Sequence, residues 1–267
     1  MIHAKKSLGQ NFLNSKTVAR DIVRAASLTT GETVLEIGPG KGFLTSELLA
    51  SGALVIAVEK DDRMIPLLTE KFAEQIKIKQ FTLIHGDIVE LTTHQTFFSK
   101  NLGGQDYKLV ANIPYYLTGQ IIRMFLEAKN KPTKMVLMVQ KEVATRIVAR
   151  DKKESILSIA VKVYGTPKFI KKVPARYFSP TPKVDSAVLS IENISNKNFK
   201  NKKEEEKFFK IVRAGFAHKR KVLAGNLKEL FGDKTIEIFV AANIKDKARA
   251  ENLTLKDWLN LLQIKFQ

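Results

Sequence analysis

Between residues 33 and 140 the chain alternates short, almost continuously apolar runs with stretches whose apolar residues recur at helical spacing. The runs at 33–37, 54–58, 81–85, 108–111 and 134–139 predict strands buried on both faces of a parallel sheet. Amphipathic stretches such as 43–50 and 63–74 lie between them and are long enough for crossover helices, the rhythm of a doubly wound sheet. After Gln140 the pattern changes. Residues 141–150 and 154–164 predict helices, and 169–173 and 186–191 predict a late strand pair around the Pro-rich stretch Phe178-Ser179-Pro180-Thr181-Pro182. The polar segment 192–207 marks a domain boundary near its start. Beyond it Phe208, Phe209, Val212 and Phe216 fall at helical spacing, as do Trp258, Leu261, Leu262 and Phe266, with Thr254 as N-cap of the last helix. The expected fold is α/β: a doubly wound, Rossmann-like sheet over residues 1–192 and a small all-helical domain over 193–267.

Composition narrows the partners. Of 267 residues 44% are apolar, and 45 Lys and Arg against 27 Asp and Glu give a formal charge of +18, which suits a polyanion. No apolar run approaches the ~18 residues of a membrane span. The N-terminal residues carry no signal-type apolar stretch, so the expected location is cytoplasmic. Cysteine is lacking, which excludes disulfides, thiolate zinc sites and cysteine-held iron–sulfur clusters, and no metal is expected. It also excludes a pyrimidine methyltransferase that attacks its base through a thiolate.

Candidate chemistry gathers at the strand ends. Glu36-Ile37-Gly38-Pro39-Gly40-Lys41-Gly42 follows the first strand and opens a helix, so Gly38 and Gly40 let the backbone pass close to a nucleotide-like ligand. The dinucleotide fingerprint fails at Phe43, and no Walker A lysine follows. The second strand ends at Glu59, beside Lys60, where a carboxylate can accept both ribose hydroxyls of an adenosine. The third ends at Asp87, beside Ile88, where a carboxylate can meet the adenine amine, and the fourth ends at Asn112. Four consecutive strand ends thus serve one crevice.

The tetrapeptide Asn112-Ile113-Pro114-Tyr115 resembles the Asn/Asp-Pro-Pro-Tyr motif of amino-group methyltransferases. An aryl amine is a poor nucleophile because its lone pair is delocalised into the ring. Accepting its N–H groups on the Asn112 side chain and the Ile113 or Pro114 carbonyl favours a pyramidal nitrogen. Pro114 fixes the backbone, and Tyr115 can stack on the target base for roughly 1–3 kcal/mol. A lysine-dependent ribose-hydroxyl methyltransferase is disfavoured, since a hydroxyl has no second hydrogen for paired acceptors. Residues 162–183 carry six basic and no acidic residues among Tyr164, Phe169, Tyr177 and Phe178, and 213–221 carry four more, as phosphate contact with base stacking requires. Phe178 is expected to clamp the flipped adenine opposite Tyr115.

Taken together the chain resembles the bacterial small-subunit ribosomal RNA adenine dimethyltransferases of the kasugamycin-sensitivity type. The likeness rests on Leu8-Gly9-Gln10-Asn11-Phe12-Leu13, the Gly38 turn, the Asn112 tetrapeptide, Met138-Val139-Gln140-Lys141-Glu142-Val143-Ala144 and Pro180-Thr181-Pro182-Lys183-Val184-Asp185-Ser186-Ala187-Val188. Phe216-Ala217-His218-Lys219-Arg220-Lys221 and Asn226-Leu227-Lys228 extend it into the helical domain. The resemblance implies S-adenosylmethionine as cofactor, contacted also by Asn11 and Leu13 in a segment that closes over it. It implies up to four methyl transfers to two adjacent adenines in a hairpin loop near the 3′ end of small-subunit ribosomal RNA, within an assembling subunit. A monomer is expected. Ile113 and Tyr116 depart from the commonest family pattern. The related large-subunit methyltransferases that confer macrolide resistance share the cofactor site and tetrapeptide, but the Gln140–Val143 run and the C-terminal match favour the small-subunit type. A non-catalytic assembly factor would be free to lose Glu59, Asp87, Asn112 or Tyr115, and all four are present. A small-molecule methyltransferase would leave the basic stretches and the added domain without purpose.

Overall fold

A computed structural model describes residues 3–92, 95–102, 104–218 and 220–264. Phe266, Lys219 and part of the 91–105 segment lie outside the described residues. No helix among the described residues is long and apolar enough to cross a membrane.

The strands are β1 (Phe12–Leu13), β2 (Thr33–Ile37), β3 (Leu54–Glu59), β4 (Phe81–His85), β5 (Tyr107–Asn112), β6 (Lys134–Gln140), β7 (Thr166–Val173), β8 (Phe178–Ser179) and β9 (Ser186–Glu192). Seven of them form one sheet in the order β4-β3-β2-β5-β6-β9-β7. The first five are parallel, and β9 and β7 join antiparallel, as the late strand pair predicts. Every residue of β2 is buried, because helices cover both sheet faces. Strand order reverses between β2 and β5, so a crevice opens at their carboxyl ends, the usual ligand position in such sheets. The short pair β1–β8 sets Leu13 opposite Phe178.

The helices of the sheet unit are α1 (Lys16–Ala26), α2 (Phe43–Ala50), α3 (Met64–Lys71), α4 (Ala73–Lys77), α5 (Ile88–Leu91), α6 (Gln95–Leu102) and α7 (Thr118–Glu127), followed by α8 (Lys141–Val148). Ser15 caps α1 by accepting from the Val18 N–H. The helix expected over 63–74 is broken at Phe72, whose backbone leaves the helical region. Its ring packs edge-on against Phe81 at 5.2 Å and fills the space where a Gly42 side chain would stand. Tertiary packing overrides local periodicity there.

By compactness the described residues of 1–144 and 166–194 form one unit, and those of 145–165 and 195–267 the other. A single cut after residue 192 is therefore corrected: the helical unit also takes α9 (Ile156–Lys162) and the residues around it. The reason is packing on α10 (Lys202–Gly215). The Tyr164 ring stacks on Phe209, its hydroxyl donates to Glu205, and Asn198 reaches the Val163 carbonyl at 2.5 Å. Helices α11 (Leu223–Phe231), α12 (Thr235–Ala241) and α13 (Leu255–Gln263) complete that unit. Gly215 lets Trp258 approach the backbone, since a Cβ there would lie 2.4 Å from the indole. Thr254 caps α13 in a capping box with Asp257.

Candidate active site

A cleft of about 790 Å³, counting its open mouth, lies at the carboxyl ends of β2–β5. It is lined by the 8–12 segment, Gly38, Gly40, Glu59, Lys60, Asp87, Ile88 and the 112–117 turn. Of the residues expected at the site, the structure brings Asn11, Gly38, Gly40, Glu59, Lys60, Asp87, Ile88, Asn112, Pro114 and Tyr115 to this one cleft.

Each is held for an identifiable reason. Gly38 and Gly40 have φ of 66° and 56°, the left-handed region that favours glycine. A Cβ on Gly40 would meet the Phe12 ring at 3.0 Å, so the glycine turn and the N-terminal segment close on each other. The Lys41 ammonium sits 4.9 Å over the same ring. Glu59 accepts the Gly40 N–H at 2.9 Å and the Asp61 N–H at 2.8 Å, fixing its carboxylate at the end of β3. Burial pushes the Glu59 carboxyl up from its ordinary value, against those two hydrogen bonds. Asp87 caps α5 through the Val89 N–H at 2.9 Å and takes Lys60 Nζ at 2.6 Å, so Lys60 acts through Asp87. Asp87 is held below its ordinary value by these partners, although burial opposes them.

The Asn112 side chain donates from Nδ2 to the Asn11 carbonyl at 3.1 Å, which turns Oδ1 out as an acceptor. Pro114 begins a 3₁₀ turn, and its carbonyl accepts the Leu117 N–H at 3.0 Å. That bond makes the Ile113 carbonyl the better second acceptor for an incoming amine. Tyr115 is half-buried, with its hydroxyl 2.7 Å from Ser186 Oγ. Burial raises the phenol above its ordinary value, so Tyr115 presents a neutral ring rather than a base.

Two expected residues fall elsewhere. Leu13 is buried and lines only a small adjoining cavity with Phe12, Gly38, Gly40 and Asn112. Phe178 is 2% exposed, belongs to the core cluster of the sheet unit and does not line the cleft. Its pairing with Leu13 places it under the N-terminal segment, beside the cleft rather than on its lining.

Two groups of residues escaped the sequence reading. Asp61, with a fully buried side chain, takes Gln10 Nε2 at 2.8 Å, Lys5 Nζ at 3.3 Å and a two-pronged Arg63 at 2.9 and 2.6 Å. These partners, Arg63 foremost, hold its carboxyl well below the usual range. The ties anchor the segment that walls the cleft. Asp61→Asn is expected to weaken S-adenosylmethionine binding about tenfold, read by isothermal titration, because charge-assisted bonds to Arg63 and Lys5 are lost. The only sequence signal was the alternation Glu59, Asp61, Arg63 just after a strand.

The second group is Glu36, 1% exposed, which accepts from Thr45 Oγ1 at 2.7 Å beneath the glycine turn. Burial, with the Glu59 charge adding, pushes its carboxyl up to about 8. Between its ordinary 4.5 and about 8 the folded chain holds a proton the unfolded chain lacks, so this group's contribution to stability falls as pH rises through that window. Glu36→Gln keeps the shape and should flatten that part of the slope, measured by denaturant unfolding across the window.

The chemistry of the cleft limits what it can accept. Carboxylates on adjacent strand ends suit the hydroxyls and amine of an adenosine, and the glycine turn lets a bulky cofactor lie against backbone. An amide acceptor beside a neutral aromatic ring receives an aryl amine rather than an alcohol. On a doubly wound sheet these features define an S-adenosylmethionine-dependent amino-group methyltransferase.

The profile of the ribosomal RNA adenine dimethylase family matches residues 1–267, and the chain belongs to that family. Its activity is S-adenosylmethionine-dependent dimethylation of adenine in ribosomal RNA. The chain is 43% identical over 265 residues to ribosomal RNA small subunit methyltransferase A of Dehalococcoides mccartyi strain CBDB1, covering 97% of this chain and 88% of the relative. It is 38% identical over 264 residues to the protein of the same name from Fusobacterium nucleatum subsp. nucleatum, covering 97% of each. Among solved structures, the 23S rRNA methyltransferase ErmE superposes with a TM-score of 0.76 at 25% identity, covering 95% of this chain and 98% of that one. A dimethyladenosine transferase from Plasmodium falciparum has a TM-score of 0.76 at 24% identity, covering 94% and 95%, and bears on the fold alone.

Proposed function

We propose that this chain dimethylates the N6 amines of two adjacent adenines in the 3′-terminal hairpin loop of small-subunit ribosomal RNA, acting as a cytoplasmic monomer on an assembling small subunit. The observation that carries the chemistry is the Asn112 amide, whose Nδ2 donates to the Asn11 carbonyl at 3.1 Å in the cleft that Tyr115 also lines, leaving Oδ1 to accept. The preference for the small subunit is supported by relatives of that name at 43% and 38% identity, against 25% for a 23S rRNA enzyme.

Bound S-adenosylmethionine supplies an electrophilic methyl group on a sulfonium, so alignment is most of the remaining task. Glu59 offers its carboxylate to the ribose hydroxyls, and Asp87, with the backbone at Ile88, meets the adenine edge of the cofactor. Asn11, Gly38 and Gly40 close around it, and Leu13 supports that closure from the core. The target adenine leaves its own stack and enters between the strand ends. Tyr115 takes its face, while Asn112 Oδ1 and the Ile113 carbonyl accept its two N–H groups. This keeps the nitrogen lone pair out of the ring and aimed at the methyl. The N6–CH3 bond would form as the sulfonium S–CH3 bond breaks, leaving S-adenosylhomocysteine, and the methylated nitrogen would release one proton to water. A single N–H then remains, and rotation about the C6–N6 bond presents it for a second transfer from a fresh cofactor.

The helical unit, 195–267 together with 145–165, is assigned to RNA contact through its basic residues, among them Arg213, Arg220 and Lys221.

The experiment is methylation of unmethylated small and large ribosomal subunits with labelled S-adenosylmethionine, followed by nucleotide mapping. Dimethyladenine in the 3′-terminal hairpin of the small subunit is the expected result. Label on the large subunit alone would overturn the target, and no label on either would leave a binding role.

A further inference from the structure

Tyr116 stands directly after the tetrapeptide, and the mechanism above does not use it. It is 62% exposed and lines the rim of the cleft beside Leu8, Gly9, Lys60 and Leu117. Tyr115 to Leu117 form a 3₁₀ turn. With three residues per turn, successive side chains diverge by about 120°. The two neighbouring rings therefore cannot serve the same place. Tyr115 is drawn inward by its hydroxyl contact with Ser186, and Tyr116 is left facing out.

The outward ring is seated as well as exposed. Gly9 has a φ of 60°, and a Cβ there would stand 2.9 Å from Tyr116 Cε1 and 3.1 Å from Cδ1. One edge of the ring thus lies against the backbone of the N-terminal segment, at a position where a side chain would displace it. Lys60, tied to Asp87 at 2.6 Å, lines the same rim.

Drawing an adenine into the cleft strips its neighbour of a stacking partner, a loss the enzyme must offset. We propose that Tyr116 is a second stacking platform, which takes the nucleobase adjacent to the target adenine. It is a specificity-determining residue: it favours a target flanked by a large base and holds the flanking nucleotide in place while the target is methylated. The inference rests on the reading that the substrate contains two adjacent adenines.

The test uses small subunits reconstituted with ribosomal RNA carrying 2-aminopurine in place of one of those adenines. 2-Aminopurine has no amine at C6, so it cannot be methylated and is the target's neighbour by construction. Its fluorescence is quenched when stacked. With the wild-type enzyme and S-adenosylhomocysteine the emission stays quenched on binding. With Tyr116→Ala it rises, and with Tyr116→Phe it does not. On unmodified subunits Tyr116→Ala lowers kcat/KM for the RNA substrate roughly tenfold, with the S-adenosylmethionine dissociation constant unchanged.

Unchanged emission and kcat/KM in Tyr116→Ala would overturn the proposal. So would a defect confined to cofactor affinity, since the ring would then only prop Gly9. If the wild-type enzyme methylates no small subunits, the substrate reading itself fails and takes this assignment with it. Normal wild-type methylation beside an unperturbed Tyr116→Ala removes this assignment alone.

Discussion

Asn112→Ala lowers the rate of methyl transfer by about 10²–10³-fold, the usual cost of removing one preorganised polar group from the centre of a reaction. The amide does two things at once. Nδ2 donates to the Asn11 carbonyl, and with that donor committed Oδ1 is left to accept. Alanine removes the acceptor and leaves the target nitrogen conjugated with its ring. Glu59 and Asp87 are untouched, so most cofactor contacts remain, and the lost tie to Asn11 should cost far less in affinity than the lost acceptor costs in rate. The loss should therefore fall on the single-turnover rate rather than on KM for the RNA. Asn112→Asp retains an acceptor but sets a carboxylate against the Asn11 carbonyl, so an intermediate rate is expected. A variant with a normal single-turnover rate and a raised KM would show that Asn112 positions RNA and does not prepare the amine.

Glu59→Gln should weaken S-adenosylmethionine binding by about 100-fold, measured by isothermal titration with thermal melting as the control for folding. The carboxylate accepts N–H groups from Gly40 and Asp61 on its two oxygens. An amide in its place must point its own NH₂ at one of those donors, so the glycine turn shifts and the ribose loses its acceptor. The wild-type affinity should also depend on pH. The ionised form is the one that accepts hydroxyls, and burial raises the Glu59 carboxyl above its ordinary 4.5. Affinity is therefore full above that raised value and is lost as pH falls through it. Glu59→Gln should lack this dependence. Retention of the same pH profile in the variant would move the titration to another group.

Much of the catalytic arrangement was legible in the chain. Continuous apolar runs at regular spacing allow few structures other than buried parallel strands, and in such a sheet the residues closing each strand must share one edge. Gly38, Glu59, Asp87 and Asn112 could therefore be assigned to one crevice before any contact was known. The antiparallel strand pair and the Thr254 cap were local in the same sense.

What stayed hidden depends on contacts between distant parts of the chain. Nothing near Gln10 announces Asp61, and Tyr115 meets Ser186 only because β9 returns beside β6. Phe178 looked like a free aromatic beside prolines, but β8 pairs with β1 and turns it into the core. Residues 145–165 read as a continuation of the sheet domain, yet Tyr164 packs on Phe209 and carries them to the helical unit. The sequence by itself determined the strand ends and the residue types placed there, because periodicity and glycine stereochemistry act over a few residues. Only the tertiary structure decided which way each side chain faces, since that follows from packing and hydrogen bonds with partners a hundred or more residues away, as between Asn112 and Asn11.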